Sequence, residues 1–134
     1  MLASLARRRD DRGASSVELV MYTPLLMFVI FLAVQFSLVY LGNQAASAVA
    51  RETARAVRVS EGDQGRGRSV GMQYAGNIGG GVLEDVDIQI QLLDGGTRVR
   101  VTVSGRAQEI SPVGVPRVSE TIEGPIERFV QGAP

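Results

Sequence analysis

The 134-residue chain has no cysteine, no histidine, no tryptophan and no lysine. Without cysteine there is no disulfide framework, no thiolate metal site, no thiol nucleophile and no lipid-acylated anchor. Without histidine the commonest general base and transition-metal ligand is missing. The 14 basic residues are all arginine and balance 14 acids, so no global field directs the chain towards nucleic acid. Aromatic residues are equally scarce: of three Tyr and four Phe, only Tyr74 and Phe129 fall outside one stretch near the N-terminus. No acid/base pair or activated nucleophile stands out. The expectation is a non-enzymatic protein with no cofactor, no metal and no small-molecule substrate.

The overall apolar share of 45% conceals a partition. In residues 19–41, 19 of 23 are apolar and none is charged, and charge stays absent as far as residue 50. As a helix this stretch would extend roughly 34 Å at about 1.5 Å per residue. A hydrocarbon core of about 30 Å is therefore within its reach. Tyr22 and Tyr40 lie near its two ends, where amphipathic rings favour the lipid interface. Pro24 falls close enough to the start for a helix to survive it. Gln35 is the one strongly polar side chain in the middle, able to bond to a neighbouring helix or to its own backbone.

Orientation follows from the flanks. Arg7, Arg8, Arg9 and Arg12 precede the span, and the positive-inside rule discounts Asp10 and Asp11 between them. Arg51, Arg55 and Arg58 on the far side act against this but start ten residues beyond the apolar core. The expected arrangement is a single pass through the inner (cytoplasmic) membrane, with the N-terminus cytoplasmic and the C-terminal part outside. The apolar stretch is much longer than that of a secretory signal, so an uncleaved anchor fits better than a signal peptide cut near Ala48 or Ala50.

Ahead of the span stands Gly13-Ala14-Ser15-Ser16-Val17-Glu18-Leu19, a basic leader ending in glycine with a carboxylate five positions on. A carboxylate at the edge of lipid costs a few kcal/mol unless it is paired or reaches the interface. Glu18 can be no more than an acid near a helix N-terminus, favoured by the macrodipole and snorkelling to water.

The same residues resemble a family. A basic leader, Gly, four residues, Glu and a long apolar helix look like the type IV prepilin processing signal, cut after the Gly by a membrane-embedded prepilin peptidase. The run from Arg12 through Val20, with Pro24-Leu25-Leu26 after it, is similar to that of TadE-like proteins, the pseudopilin-like components of tight-adherence (Tad/Flp) pilus machines. The Ala- and Arg-rich stretch over residues 45–56 is similar to the helix that follows their span. Leu19 stands where Flp-type major pilins commonly carry Tyr, which favours the minor, TadE-like role. The resemblance implies cleavage between Gly13 and Ala14, and pairing of Glu18 with a neighbouring subunit's new N-terminal amine. It also implies, as partners, membrane lipid, the peptidase, other pilins or pseudopilins and the Tad inner-membrane platform.

Beyond the span, the helix is expected to continue to residue 59. Gln44, Ser47, Arg51, Arg55 and Arg58 share one face; Ala45, Ala46, Val49, Thr53, Ala56 and Val57 share the other. Gly42, Ala46, Ala50 and Ala54 form a ladder of small residues at every fourth position, suited to close packing on the chain's own sheet or on another subunit. Residues 60–68 read as a loop containing an imitation phosphate-binding motif, Gly62-x4-Gly67-Arg68-Ser69. It lacks the lysine and the preceding strand that a real one needs. Ser69 is the expected cap of a short helix carrying Val70, Tyr74 and Ile78 on one face.

The clearest β signal comes next. Val86, Ile88, Ile90 and Leu92 alternate with polar residues, Asp94-Gly95-Gly96 supplies a turn, and Val99, Val101 and Val103 alternate again. Asp87 is placed to pair across this hairpin with Arg98 or Arg100. The cluster Glu84, Asp85 and Asp87 reads as a solvated strand entrance rather than a calcium loop. Pro112 and Pro116 mark a connection, residues 118–123 a third strand, and residues 126–130 an irregular extension.

The expected fold is thus α+β: a basic leader at 1–13, one long helix at 14–59 with its membrane segment at about 19–41, and a small antiparallel sheet of two or three strands within 60–134. The expected function is a TadE-like pseudopilin or minor membrane component of a Tad/Flp-type pilus or secretion apparatus. The alternative is an unprocessed, single-pass anchor presenting an extracytoplasmic binding module.

Overall fold

The structure is a computed structural model that describes residues 10–78, 81–110, 114, 117–128 and 132, with side chains from Ser15 onwards. The leader residues 1–9, Pro112, Pro116 and Val130 lie outside the described residues. Five main elements follow in order: α1 (Asp10–Val59), α2 (Gln64–Asn77), β1 (Leu83–Leu93), β2 (Arg98–Ala107) and β3 (Arg117–Pro125). The chain divides into two compact units, Met1–Gln35 and Phe36–Pro134. The division falls inside α1, so the second unit contains the expected outer part 60–134 together with residues 36–59.

The first unit is helix throughout its described residues, starting at Asp10 rather than Ala14. Its apolar side chains from Val17 to Val34 are exposed. Pro24 sits inside the helix. One residue earlier, the Thr23 hydroxyl donates to the Leu19 carbonyl at 2.7 Å, the side-chain bonding that accompanies helix irregularities.

In the second unit, α1 ends at a left-handed cap. Glu61 adopts φ 56°, and the Gly62 amide donates to the Val57 carbonyl at 2.9 Å, which is the six-to-one bond of a Schellman motif. The chain then turns at once into α2, whose N-cap is Asp63; its carboxylate accepts from the Arg66 amide at 3.0 Å. The expected loop is therefore only four residues long, and Ser69 is an interior helical residue rather than the cap. Asp63 wins because its short carboxylate reaches the otherwise orphaned amides of the first turn.

The sheet is antiparallel in the order β1-β2-β3. The turn between β1 and β2 is built as expected, with Asp94, Gly95 and Gly96 all at positive φ. Opposite Val101 lies Ile90 on one side and Ile122 on the other. The register corrects the proposed cross-strand pairing: Asp87 faces Ser104, whereas Arg98 and Arg100 both bind Glu123 of β3. Asp87 follows the register that runs unbroken from the turn, and a bulge between Glu84 and Asp87, with Asp85 at φ 49°, shifts only the pairs beyond it by one residue. Asp85 turns its carboxylate to Arg106, at 2.6 Å.

The core lies between the inward face of the sheet and one face of α1. It comprises Ala46, Val49, Ala50, Ala54 and Val57 of the helix with Ile88, Val99, Val101, Val103, Ala107 and Val118 of the strands, and Ile126 closes it. Both expected covers for the hairpin, a third strand and the long helix, are present. The expected helix faces are largely reproduced: Gln44, Arg51 and Arg55 are exposed, while Val49, Thr53 and Val57 are buried.

Candidate functional site

Two regions carry the residues singled out from the sequence. The first is the start of α1. The Gly13–Ala14 peptide bond lies at the end of the first turn of α1. Glu18 is exposed, on the second turn beyond Gly13. Severing the chain after Gly13 would leave helix from Ala14 onwards intact. Gln35, at the other end of this unit, is half-buried.

The second region is the small-residue ladder. Gly42, Ala46, Ala50 and Ala54 are all buried, within the second unit itself. At Gly42 a β-carbon would lie 2.7 Å from that of Ala107, so only glycine lets the helix approach the end of β2 this closely. The chain's own sheet occupies this face. Beyond Gly42, the surface of α1 left open carries the polar residues Gln44, Arg51 and Arg55, with Val59 at its end.

Sequence reasoning missed a second small-residue pair. Gly67 and Gly71 are the buried residues of α2, whereas Ile78, expected to share one face with Val70 and Tyr74, is exposed. A β-carbon on Gly67 would fall 2.2 Å from Val57 Cγ2; one on Gly71 would fall 2.1 Å from Thr53 Oγ1 and 2.8 Å from Ile88 Cδ1. The two glycines thus let α2 lie against both α1 and β1. From the sequence the two fall on either side of a boundary, Gly67 in the expected loop and Gly71 in the expected short helix, so their Gly-x3-Gly spacing does not stand out. The extent of α2 also disposes of the phosphate-loop imitation, since Gly67 and Arg68 are helical.

Arg58 was read only as part of a polar face. Its guanidinium donates to the Pro125 carbonyl at 2.7 Å and meets Glu127 at 3.2 Å, tying the end of α1 to the end of β3. No group of His, Asp or Glu able to hold a metal occurs among the described residues. The acidic cluster at the head of β1 is spent on Arg106 and on solvent.

One helix long and apolar enough to cross a membrane, near the N-terminus, runs into a small α+β unit. This architecture, with one candidate span among the described residues, is that of a membrane-anchored protein. The TadE-like protein family model matches residues 13–55, so the chain carries a TadE-like segment. That match supports a component associated with Tad pilus machinery, a structural rather than catalytic family. No curated protein and no solved structure matches the chain.

Proposed function

We propose that the protein is a TadE-like pseudopilin, or minor membrane component, that serves assembly of a Tad/Flp-type pilus or secretion apparatus. The observation that carries this reading is the extent of the family match. It begins at Gly13 and takes in Glu18, the apolar span and the Ala/Arg helix. In this reading the N-terminus is cytoplasmic and the α+β unit lies outside the inner membrane. Prepilin peptidase cuts between Gly13 and Ala14, placing Glu18 fifth in the mature chain. The Glu18 carboxylate then pairs with the new N-terminal amine of a neighbouring pilin or pseudopilin, because opposite charges near lipid cost far less together than apart. The role is structural, with the Tad inner-membrane platform as docking partner.

Mass spectrometry of the protein from cells with an active prepilin peptidase tests the reading. A mature chain starting at Ala14 is expected; an intact leader would favour the unprocessed anchor with an extracytoplasmic binding module. Glu18→Ala should still insert into the membrane but lose co-purification with pilus components. Normal co-purification would remove the assembly role from Glu18.

A further inference from the structure

The level at which the sheet meets α1 is set by Gly42. A β-carbon there would touch Ala107, at the end of β2, and would lie 3.6 Å from the Val82 carbonyl, just before β1. Gly42 immediately follows the last residue of the uncharged apolar stretch. Within the same unit, Phe36, Tyr40 and Leu41 below it are exposed, at 72%, 65% and 48%. The lower end of the sheet is therefore level with the end of the lipid-compatible surface, with no polar stalk between them. Two further apolar side chains open to solvent near this end. Ile110, 45% exposed, follows Ala107 by three residues. Ile78, 37% exposed, ends α2, which descends alongside α1: Gly67 lies against Val57 and Gly71 against Thr53, one turn lower. Continued at that pitch, Ile78 comes level with Ala46, about one turn above Gly42.

We propose that this end of the α+β unit rests on the phospholipid headgroup layer, with Ile78 and Ile110 as its apolar contacts. The inference depends on the membrane reading of α1 and adds to it a second, interfacial contact. Charge does not drive the contact. Arg106 and Arg117, opposite each other at this end of the sheet, are outnumbered by Glu84, Asp85 and Glu109. The attraction is apolar area held at the interface by a covalent tether. The tether makes even a small patch effective, because no translational freedom is left to lose on contact.

The absence of cysteine makes single-thiol labelling clean. Full-length Ile110→Cys, Ile78→Cys, Val59→Cys and Phe31→Cys would each carry an environment-sensitive fluorophore in phosphatidylcholine vesicles containing either a shallow, headgroup-level nitroxide lipid or a deep, acyl-chain one. Probes at 110 and 78 should lose most of their emission to the shallow nitroxide and the probe at 31 to the deep one, all three with a shift to the blue. The probe at Val59, about 25 Å further along the helix from Gly42, should not. Quenching at 110 and 78 should survive high salt. Quenching at 31 alone would overturn the interfacial contact and leave the membrane span standing; no quenching at 31 would overturn both. Gln108→Cys, an exposed neighbour, serves as the probe if either isoleucine variant folds poorly.

Discussion

Gly67 and Gly71 show how much a side chain's absence can decide. In a free helix each glycine costs about 1 kcal/mol relative to alanine, and neither would be chosen for a helix interior on propensity alone. In the fold they admit the Val57 methyl and the Thr53 hydroxyl where a β-carbon would stand. Gly71→Ala should therefore destabilise the second unit by about 1–3 kcal/mol, as overpacking does. Gly76, also helical but with nothing within 4 Å of its missing β-carbon, provides the contrast. Gly76→Ala should stabilise by up to about 1 kcal/mol. Urea unfolding in detergent, followed by hydrogen exchange in β1 and β2, separates the two; equal effects would show that α2 is not closely packed. Thr53 is the polar exception in this core. It is fully buried, and its hydroxyl has no hydrogen-bond partner among the described residues.

Among the elements, α1 carries two chemistries in one helix: apolar side chains exposed all round in residues 17–34, then one buried face from Gly42 to Val57. Both parts were legible, because uniform apolarity and 3.6-residue periodicity are local signals. The strands were equally legible from their alternation. The start of α2 was not. Glycines at 62, 65 and 67 suggested a loop, and only the bond from the Arg66 amide to Asp63 fixes the boundary. Asp63→Ala should cost about 1 kcal/mol, and Asp63→Asn much less, since asparagine caps nearly as well. The same unfolding measurement checks this. A Ser69→Ala change with the larger effect would return the cap to the position first expected.

For the molecule as a whole, the second unit depends on a helix that lies entirely ahead of its sheet in sequence. Ala46, Val49, Ala50, Ala54 and Val57 supply the helix side of the core. A fragment of residues 60–134 lacks all five. Three strands with one bare apolar face are then left to α2 alone, too little area for a chain of that size. We expect that fragment to show no cooperative unfolding, whereas residues 42–134 should melt cooperatively in water. Circular dichroism during a urea titration distinguishes them, and a cooperative 60–134 would place the sheet's stability in the sheet itself.

The sequence by itself determined the lipid-compatible stretch, the apolar face of the helix beyond it, the hairpin and its turn. It also carried the Gly13 to Glu18 spacing on which the TadE-like resemblance rests. Each of these is written in neighbouring residues, through composition, period or turn chemistry. Only the tertiary structure decided that the ladder from Gly42 to Ala54 faces the chain's own strands, that Glu123 rather than Asp87 gathers Arg98 and Arg100, and that two glycines serve as contact surfaces. Those outcomes depend on which distant backbones approach one another, such as β3 lying beside β2 with Glu123 opposite Arg100. A glycine or a small-residue stripe permits such approaches without naming the partner.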